Sequence, residues 1–212
     1  FDAKKAAFFG FSIFGKNIFF LLKENGKIDY QGLEKFFKKF NSKFIIFGFT
    51  YQVYENLYNK LKINKINRKI KRAIVIHGGG WKKMEKKKIS NNQFKINLKK
   101  KLKINNFLNY YGLAEQTGSI FLECKCGYFV TTDYSDIIIR NEELNVCNDM
   151  EKGFIQLLSI LPTSYPGHNI LTQDIGQIVN KKNCKCKING KRFVVHGRAK
   201  KAELRGCSDV SN

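Results

Sequence analysis

The segment "LNYYGLAEQTGSI", residues 108–120, combines residue types that could hold a planar ligand and a metal ion. Tyr111 offers a flat aromatic face for stacking, and Gly112 allows close approach of the backbone to a ligand. Glu115 offers a hard carboxylate oxygen of the kind that Mg²⁺ prefers. Each residue type alone is more often part of a turn or of the core, so the segment predicts a site only in combination with other residues.

Three further groups of residues stand at the ends of apolar runs. The glycines 78–80 end "RAIVIHGGGW", Asp174 precedes a turn in "NILTQDIGQI", and Arg198 follows a glycine in "VVHGRAK". Ligands of open α/β sheets bind outside the carboxyl ends of the strands, where side chains from successive strand ends converge. The combination therefore predicts a ligand site that also includes Tyr111.

Four of the six cysteines form two closely spaced pairs, Cys124 with Cys126 and Cys184 with Cys186. Residues two apart on a strand face the same side, so the four thiolates could hold a structural zinc ion. Zinc sites more often place two residues between paired ligands. Ordinary reduced cysteines in the core or in loops are therefore the favoured alternative.

An alternation of strands and helices is expected to position the first of these residues. "KFIIFGF" is predicted to be a strand, followed by a helix in which Val53, Leu57 and Leu61 recur at helical spacing and which Thr50 caps. "RAIVIHGGGW" and "NFLNYYG" are the next strands, with an amphipathic helix in "SNNQFKINLKKKLK" between them. This order favours the α/β class, with a largely parallel sheet flanked by helices.

From Ser119 onward, short β-rich runs are separated by turns, and Asn189-Gly190 predicts a hairpin between "CKCKI" and "KRFVV". We therefore predict two parts, residues 1–118 and a β-rich subdomain of residues 119–212.

The formal net charge of +22 raises nucleic acid or an anionic membrane surface as a partner. The basic excess is almost entirely lysine, with 33 lysines and six arginines. Proteins that recognise a nucleic-acid sequence depend instead on the two-pronged hydrogen bonding of the arginine guanidinium. We therefore predict no nucleic-acid partner. A basic binding module that acts through the lysine runs 60–71 and 82–88 is the alternative from another functional class.

No signal peptide precedes the cysteines, which favours a reducing, cytoplasmic location. The apolar run from Ala6 to Leu22 is interrupted by Ser12, Lys16 and Asn17. A membrane helix needs about 20 mostly uncharged residues, so no membrane span is predicted.

The order of "YGLAEQTG", "LTQDIG" and "HGRAKKAELRG" resembles the adenylate-forming ligase superfamily of acyl- and aryl-CoA synthetases. Within it, "VIHGGGWKKMEKKKI" and "AELRGCSD" resemble the LuxE-type acyl-protein synthetases, the ligase component of the bacterial luminescence fatty acid reductase complex. The resemblance extends from about Phe44 to the end of the chain. It implies that residues 1–118 are the C-terminal part of a nucleotide-binding α/β layer with a mixed sheet, and that residues 119–212 end in a hinge and terminal segment.

The resemblance also implies roles for individual residues in binding ATP or AMP and Mg²⁺. Asp174 would bind the ribose hydroxyls, Arg198 would contact ribose or phosphate, and Lys200 falls at the hinge position. Glu115 would hold Mg²⁺, and Thr117 or its neighbourhood would lie near the phosphate. The residues implied to border the adenine are Gly78, Gly79, Gly80 and Tyr111 with its neighbour Gly112.

Cys207 is the candidate nucleophile for a second step. In acyl-protein synthetases, a cysteine near the C-terminus receives the acyl group from the adenylate as a thioester. The thiolate is the reactive form, and the nearby Arg205 would favour it electrostatically. The resemblance thus implies a ligase that activates a fatty or other carboxylic acid and passes the acyl group to its own cysteine, with a reductase as acyl-accepting partner.

Two departures from the superfamily pattern bear on this expectation. The phosphate loop that grips the triphosphate would precede Phe1, and the small C-terminal domain with its catalytic lysine would follow the chain. We therefore expect that this part alone does not complete ATP chemistry. A ligase with coenzyme A as acceptor, like phenylacetate-CoA ligase, and an inactive remnant are the remaining alternatives.

Overall fold

The computed structural model describes residues 3–66, 68–81, 86–180, 182 and 184–199. The chain divides into two compact units, Lys4–Leu108 and Asn109–Asn212, the latter with Phe1–Ala3. The predicted division after residue 118 stays a prediction. Lys200 and Cys207, the two predicted catalytic residues, lie outside the described residues.

The first unit alternates helices and strands. Its elements are α1 (Ala3–Ser12), α2 (Tyr30–Lys39), β1 (Phe44–Phe49), α3 (Thr50–Val53), a π-helical segment (Tyr54–Lys60), two 3₁₀ turns (Ile63–Lys65 and Arg68–Arg72), β2 (Ala73–Gly78), α4 (Asn91–Leu102) and β3 (Asn106–Tyr111), which ends in the second unit. β1 and β2 pair in parallel, with Phe44 opposite Ala73 and Phe49 opposite Gly78. A parallel pair needs a long connection, and the helical segments between β1 and β2 supply it.

The local sequence determines both the start and the buried face of α4. Ser90 precedes the helix, and its hydroxyl oxygen accepts a hydrogen bond from the Gln93 N–H at 3.2 Å. Phe94, Leu98 and Leu102 recur at four-residue spacing and are buried. The predicted amphipathic helix is therefore confirmed.

The predicted capping role of Thr50 is wrong. Phe49 occupies the position before α3, and Thr50 is already helical. Its buried hydroxyl donates to Gly78 O at 3.1 Å and lies 3.0 Å from His77 Nδ1. Because β1 and β2 run in parallel, the start of α3 lies beside the end of β2, and the hydroxyl stabilises that strand end instead of its own helix.

A cluster of buried apolar side chains forms the core of the first unit. Removal of their apolar surface from water stabilises the folded unit. Trp81 is the single tryptophan of the sequence, is 5% exposed, and lies with its ring 5.3 Å from that of Tyr54. Its fluorescence can therefore report on this core. The buried members are Leu33, Phe37, Val53, Tyr54, Leu57, Leu61, Ile70, Ala73, Val75, Trp81, Phe94, Leu98, Leu102 and Ile104.

The second unit is rich in β-structure. Its strands are β4 (Phe121–Leu122), β5 (Phe129–Val130), β6 (Ser135–Arg140), β7 (Gly153–Ser159), β8 (Asn169–Val179) and β9 (Arg192–Arg198). An antiparallel sheet has the strand order β5-β9-β8-β7-β6. β4 pairs antiparallel with the end of β3, where Tyr111 lies opposite Phe121.

Side chains from alternating strand positions build the core of the second unit. In β6, Ser135, Ile137 and Ile139 are buried while the residues between them are half-buried, which follows the two-residue period of a strand. The buried members of this core are Tyr111, Phe121, Ile137, Ile139, Ile155, Leu157 and Phe193.

The predicted hairpin at Asn189-Gly190 is wrong, because β9 pairs with β8 and β5 and no strand is assigned to residues 184–190. The buried Arg192 guanidinium donates to Gly190 O at 2.7 Å, to Cys186 O at 2.9 Å and to Ile188 O. These bonds satisfy the carbonyl groups without a partner strand. The segment before β9 is therefore a loop whose carbonyl groups are bound by a buried arginine.

The pairings confirm the predicted mixed α/β class: β1 and β2 form a parallel pair with helical connections, and a β-rich unit follows. Of the helices that the structure describes, none has both the length and the apolar character to cross a membrane.

Candidate functional site

Tyr111 and Asp174 are hydrogen-bonded in the second unit, although 63 positions separate them. Tyr111 is the last residue of β3, and its phenol donates to Asp174 Oδ2 at 2.8 Å. Burial and then the negative charge of Asp174 raise the pKa of Tyr111 well above its ordinary value. The phenol therefore remains a donor at any physiological pH and orients the carboxylate.

Arg198 lies opposite Asp174 in the pairing of β8 with β9. Its Nε is 3.9 Å from Asp174 Oδ1, and its Nη2 donates to Gln173 Oε1 at 3.1 Å. The Asp174 N–H donates to Thr172 Oγ1 at 3.1 Å. The Asp174 side chain is 18% exposed. The carboxylate is thus oriented from two sides and still accessible to a ligand that carries hydroxyl groups.

The loop after Tyr111 is compact for steric reasons. A Cβ at Gly112 would lie 2.9 Å from Ser119 O, so this position requires glycine. Glu115 lies in a 3₁₀ turn (Ala114–Gln116), and both Glu115 and Thr117 are exposed. The Thr117 N–H donates to the Tyr165 hydroxyl at 2.8 Å. The two residues predicted for Mg²⁺ and phosphate therefore lie on one exposed, anchored loop.

Gln116 anchors this loop and was missed at the level of sequence. It is fully buried, and its Nε2 donates to Gly167 O at 2.9 Å and to Leu157 O at 3.3 Å. Both acceptors are about 40 or 50 residues away along the chain. A glutamine between Glu115 and Thr117 looks like any exposed loop residue in the sequence, so no local signal could have identified its role.

In the first unit, the predicted glycines follow a buried histidine. Gly78 ends β2, and its carbonyl accepts the Thr50 hydroxyl hydrogen. Gly79 has φ +73°, a conformation that glycine adopts without strain. A Cβ at Gly80 would meet no described atom within 4 Å. The backbone there is open to a close approach by a ligand.

His77 is held neutral beside these glycines. The Thr50 hydroxyl has one hydrogen and donates it to Gly78 O, so His77 Nδ1 must donate to Thr50 Oγ1. Nε2 is then the unprotonated nitrogen, and it is buried without a hydrogen-bond partner among the described residues. Burial, followed by repulsion from Lys95, lowers the pKa of His77 to about 3.

We expect acid to destabilise the first unit through His77. Its pKa is about 3 when folded and near 6.5 when unfolded, so the unfolded state binds more protons between these values. Stability therefore falls as pH falls through this window, by about 1.4 kcal/mol per pH unit. Between pH 7 and pH 5, the wild type should lose about 2 kcal/mol more than His77→Asn, which keeps a donor near the Nδ1 position.

The measurement is urea unfolding at both pH values, followed by Trp81 fluorescence. The exposed His168 provides the control, because His168→Asn should retain the wild-type difference between the two pH values. Equal pH dependence in the wild type and in His77→Asn would show that His77 is not the group that titrates.

The two cysteine pairs converge in the second unit. Cys124 Sγ lies 3.7 Å from Cys184 Sγ, and Cys126 Sγ lies 3.4 Å from Cys186 Sγ. A hydrogen bond from the Arg192 guanidinium lowers the pKa of Cys184 to about 6, whereas the Cys126 side chain raises the pKa of Cys186 to about 11. The four thiols are thus close enough to influence one another's pKa values.

The described structure brings Tyr111, Asp174 and Arg198 together, with Glu115 and Thr117 on the loop that follows Tyr111. The glycines 78–80 belong to the other unit. The Tyr111 ring is only 9% exposed and packs against Phe121, Phe129 and Phe193. Its use as an adenine platform stays a prediction, as do the other assigned roles.

The fold is that of the adenylate-forming ligases. Similar solved structures are a luciferase-like enzyme from the nonluminescent mealworm Zophobas morio (16% identity, TM-score 0.52), fatty acyl-adenylate ligases from E. coli and L. pneumophila (14%, 0.54) and ATP-bound MatB from Rhodopseudomonas palustris (12%, 0.53). They match 82%, 80% and 82% of this chain. The chain spans only 40%, 36% and 34% of their respective lengths.

The particular family follows from the sequence match. The model of the LuxE acyl-protein synthetase family covers residues 3–212, and the chain belongs to this family. Among curated protein sequences, none is significantly similar to the chain. The predicted family resemblance is therefore confirmed.

Proposed function

We propose that the chain forms the adenosine-binding part of a ligase that activates a carboxylic acid, such as a fatty acid, as an acyl-adenylate and transfers the acyl group to Cys207. The observation that carries this proposal is the Asp174 carboxylate, which Tyr111 orients and beside which Arg198 lies. Membership of the acyl-protein synthetase family supports the class of reaction.

The Asp174 environment fits a ribose. A carboxylate accepts hydrogen bonds only, and adjacent ribose hydroxyls supply two donors. Tyr111 donates to Oδ2 and so fixes the plane of the carboxylate. Oδ1, which lies 3.9 Å from Arg198 Nε, can then accept hydrogen bonds from the ribose. Arg198 is then close enough to a bound nucleotide to contact ribose or phosphate.

In the second unit, the remaining nucleotide contacts are assigned to the loop after Tyr111. The exposed loop with Glu115 and Thr117 would face the phosphates, and the open backbone at Gly80 in the other unit leaves the glycines 78–80 accessible for the adenine contact that the family resemblance implies. Glu115 would hold Mg²⁺, which neutralises negative charge on the phosphates as pyrophosphate leaves. Lys200 would serve as the hinge residue that follows Arg198 in sequence.

The second step transfers the acyl group from phosphate to sulfur. The Cys207 thiolate attacks the acyl carbon of the mixed anhydride, a carbon–sulfur bond forms, and the carbon–oxygen bond to AMP breaks. The thiol proton is released to solvent, and AMP leaves with the electron pair. The acylated protein then presents a thioester that a reductase partner could reduce.

The experiment supplies a synthetic fatty acyl-adenylate directly, so that its result does not depend on ATP chemistry. Intact mass spectrometry should show the addition of one acyl group, which neutral hydroxylamine removes because thioesters are cleaved under those conditions. Cys207→Ser should abolish the gain. Cys147→Ser, which replaces a cysteine outside the proposed site, should retain it, and excess AMP should slow it.

Two other outcomes separate the alternatives. If Cys207→Ser is acylated like the wild type, the modification is nonspecific and Cys207 is not the acceptor. If neither protein is acylated but both accelerate formation of acyl-coenzyme A from the adenylate and coenzyme A, the acceptor is coenzyme A. No acyl transfer in either assay would reject the proposed reaction for this chain.

A further inference from the structure

The four cysteines at the edge of the second unit form a compact cluster. Their sulfur atoms all lie within 4.8 Å of one another. None of the four is in a disulfide: Cys126 Sγ and Cys186 Sγ, for example, are 3.4 Å apart, far beyond the about 2.05 Å of a sulfur–sulfur bond. The two pairs are 60 positions apart in the sequence, so the fold itself must bring them together.

This arrangement matches the dimensions of a tetrahedral zinc site. Zinc binds thiolate sulfur at about 2.3 Å, which separates the four sulfurs of a tetrahedron by about 3.8 Å. Two of the sulfur–sulfur distances here, 3.7 Å and 3.4 Å, differ from that value by only a few tenths of an ångström. Even a sulfur–sulfur distance at the 4.8 Å limit would have to shorten by only about 1 Å to reach the tetrahedral value.

Two different loops supply the cysteines, and both are held by hydrogen bonds. In the first, the Gly127 N–H donates to Cys124 O at 2.9 Å, the Cys124 N–H donates to Tyr128 O at 2.8 Å, and Gly127 has φ +87°. In the second, Arg192 donates to the carbonyl of Cys186. In the first loop, the tight turn allows Cys124 and Cys126, which have a single residue between them, to face one point.

The charge around the cluster favours a site with net negative charge. Arg192 is 2% exposed, lies beside the Cys184 thiol, and has no carboxylate partner within the described parts of the chain. An unpaired buried cation is costly. Four thiolates around Zn²⁺ carry a net charge of −2, which would compensate the guanidinium.

We propose that Cys124, Cys126, Cys184 and Cys186 bind one structural Zn²⁺ ion as four thiolates, with release of the thiol protons to solvent. All four positions of the metal are then filled by protein, so no position is open for a substrate. Arg192 stands at the cysteine end of β9 and Arg198 at the other end, about 20 Å away at about 3.3 Å per residue. The metal therefore stabilises the strand that carries Arg198 and takes no part in the ligase reaction.

The test measures metal binding directly. Protein prepared under reducing conditions with zinc should contain one equivalent of Zn²⁺ per chain. Replacement by Co²⁺ should give thiolate-to-cobalt charge-transfer bands and intense tetrahedral d–d bands. Cys126→Ser, at the exposed cysteine of the cluster, should reduce the charge-transfer bands by about a quarter or abolish them, whereas Cys147→Ser should leave them unchanged.

A second measurement does not depend on the folding of any variant. Addition of a chelator to the wild-type protein should lower its thermal unfolding midpoint, and Zn²⁺ should restore it, because binding to the folded site adds to stability. Substoichiometric metal with no thiolate bands would overturn the proposal. So would two disulfides within the cluster in protein kept under reducing conditions, or full cobalt bands in Cys126→Ser.

Discussion

Asp174→Asn is expected to weaken binding of AMP, and of a non-reactive acyl-sulfamoyl adenosine, by about 100-fold. Hydrogen bonds to a charged group contribute about 1.5–3 kcal/mol each, and the carboxylate would accept two from the ribose. Asparagine keeps the size of the side chain. Its oxygen can still accept from Tyr111, but its amide group then presents donors to the ribose hydroxyls and to Arg198.

Isothermal calorimetry with paired ligands separates a lost ribose contact from a distorted fold. The wild type should bind AMP more tightly than 2′,3′-dideoxy-AMP, whereas Asp174→Asn should bind both equally. Asp136→Asn is the matched control, because Asp136 lies in the same sheet, is 44% exposed, and pairs with Lys191 at 2.7 Å. An Asp174→Asn protein that distinguishes the two ligands as the wild type does would show that Asp174 does not contact the ribose.

Tyr111→Phe should give an intermediate result. The carboxylate remains and can still accept from the ribose, so the loss is only that of the 2.8 Å hydrogen bond that orients it, for which we assign about 1 kcal/mol of binding free energy. We therefore expect AMP binding to weaken by about 5- to 10-fold, with the preference for AMP over the dideoxy ligand retained but reduced.

Phe193→Ala is expected to destabilise the second unit by about 3–5 kcal/mol, as removal of a fully buried phenylalanine ring usually does. The Phe193 ring is completely buried, and its centroid lies 5.3 Å from that of Phe121, 5.5 Å from that of Phe129 and 6.0 Å from that of Tyr111. The cavity would remove a packing surface of Tyr111. Nucleotide binding should therefore weaken even where the unit remains folded.

Hydrogen exchange with mass spectrometry can measure this effect in the strands of the second unit. Peptides that cover β6 to β9 should lose protection in Phe193→Ala. Tyr134→Ala provides the control, since Tyr134 is an aromatic residue in the same unit but is 58% exposed. If the two variants lose the same protection, the aromatic cluster does not hold the sheet, and the link from the core to the Tyr111 site is wrong.

The candidate site residues could be named from the sequence because they stand in ordered local motifs. "YGLAEQTG", "LTQDIG" and "HGRAKK" place chemically distinctive side chains at strand ends, and their order indicates one family. α4 was predictable for a related reason, because its cap at Ser90 and its buried face at four-residue spacing are local features. Such signals depend on only a few neighbouring residues.

The residues that orient the candidate site could be recognised only from contacts between positions that are distant in the sequence. Gln116 is a positioning residue because Gly167 O and Leu157 O accept its amide hydrogens, and Thr50 stabilises Gly78 instead of capping α3. Where a hairpin was predicted, the chain forms a loop whose carbonyl groups accept hydrogen bonds from the buried Arg192. In each case, a polar side chain satisfied buried groups that the local sequence does not reveal.

The sequence by itself determined the class of fold, the family and the candidate nucleotide-binding residues, because local periodicity and short motifs carry that information. Only the tertiary structure decided that the Tyr111 hydroxyl donates a hydrogen bond to Asp174 and that the four cysteine sulfurs lie within 4.8 Å of one another. The physical reason is that these contacts join positions about 60 apart. They exist only after the strands have paired and the buried polar groups have found their partners.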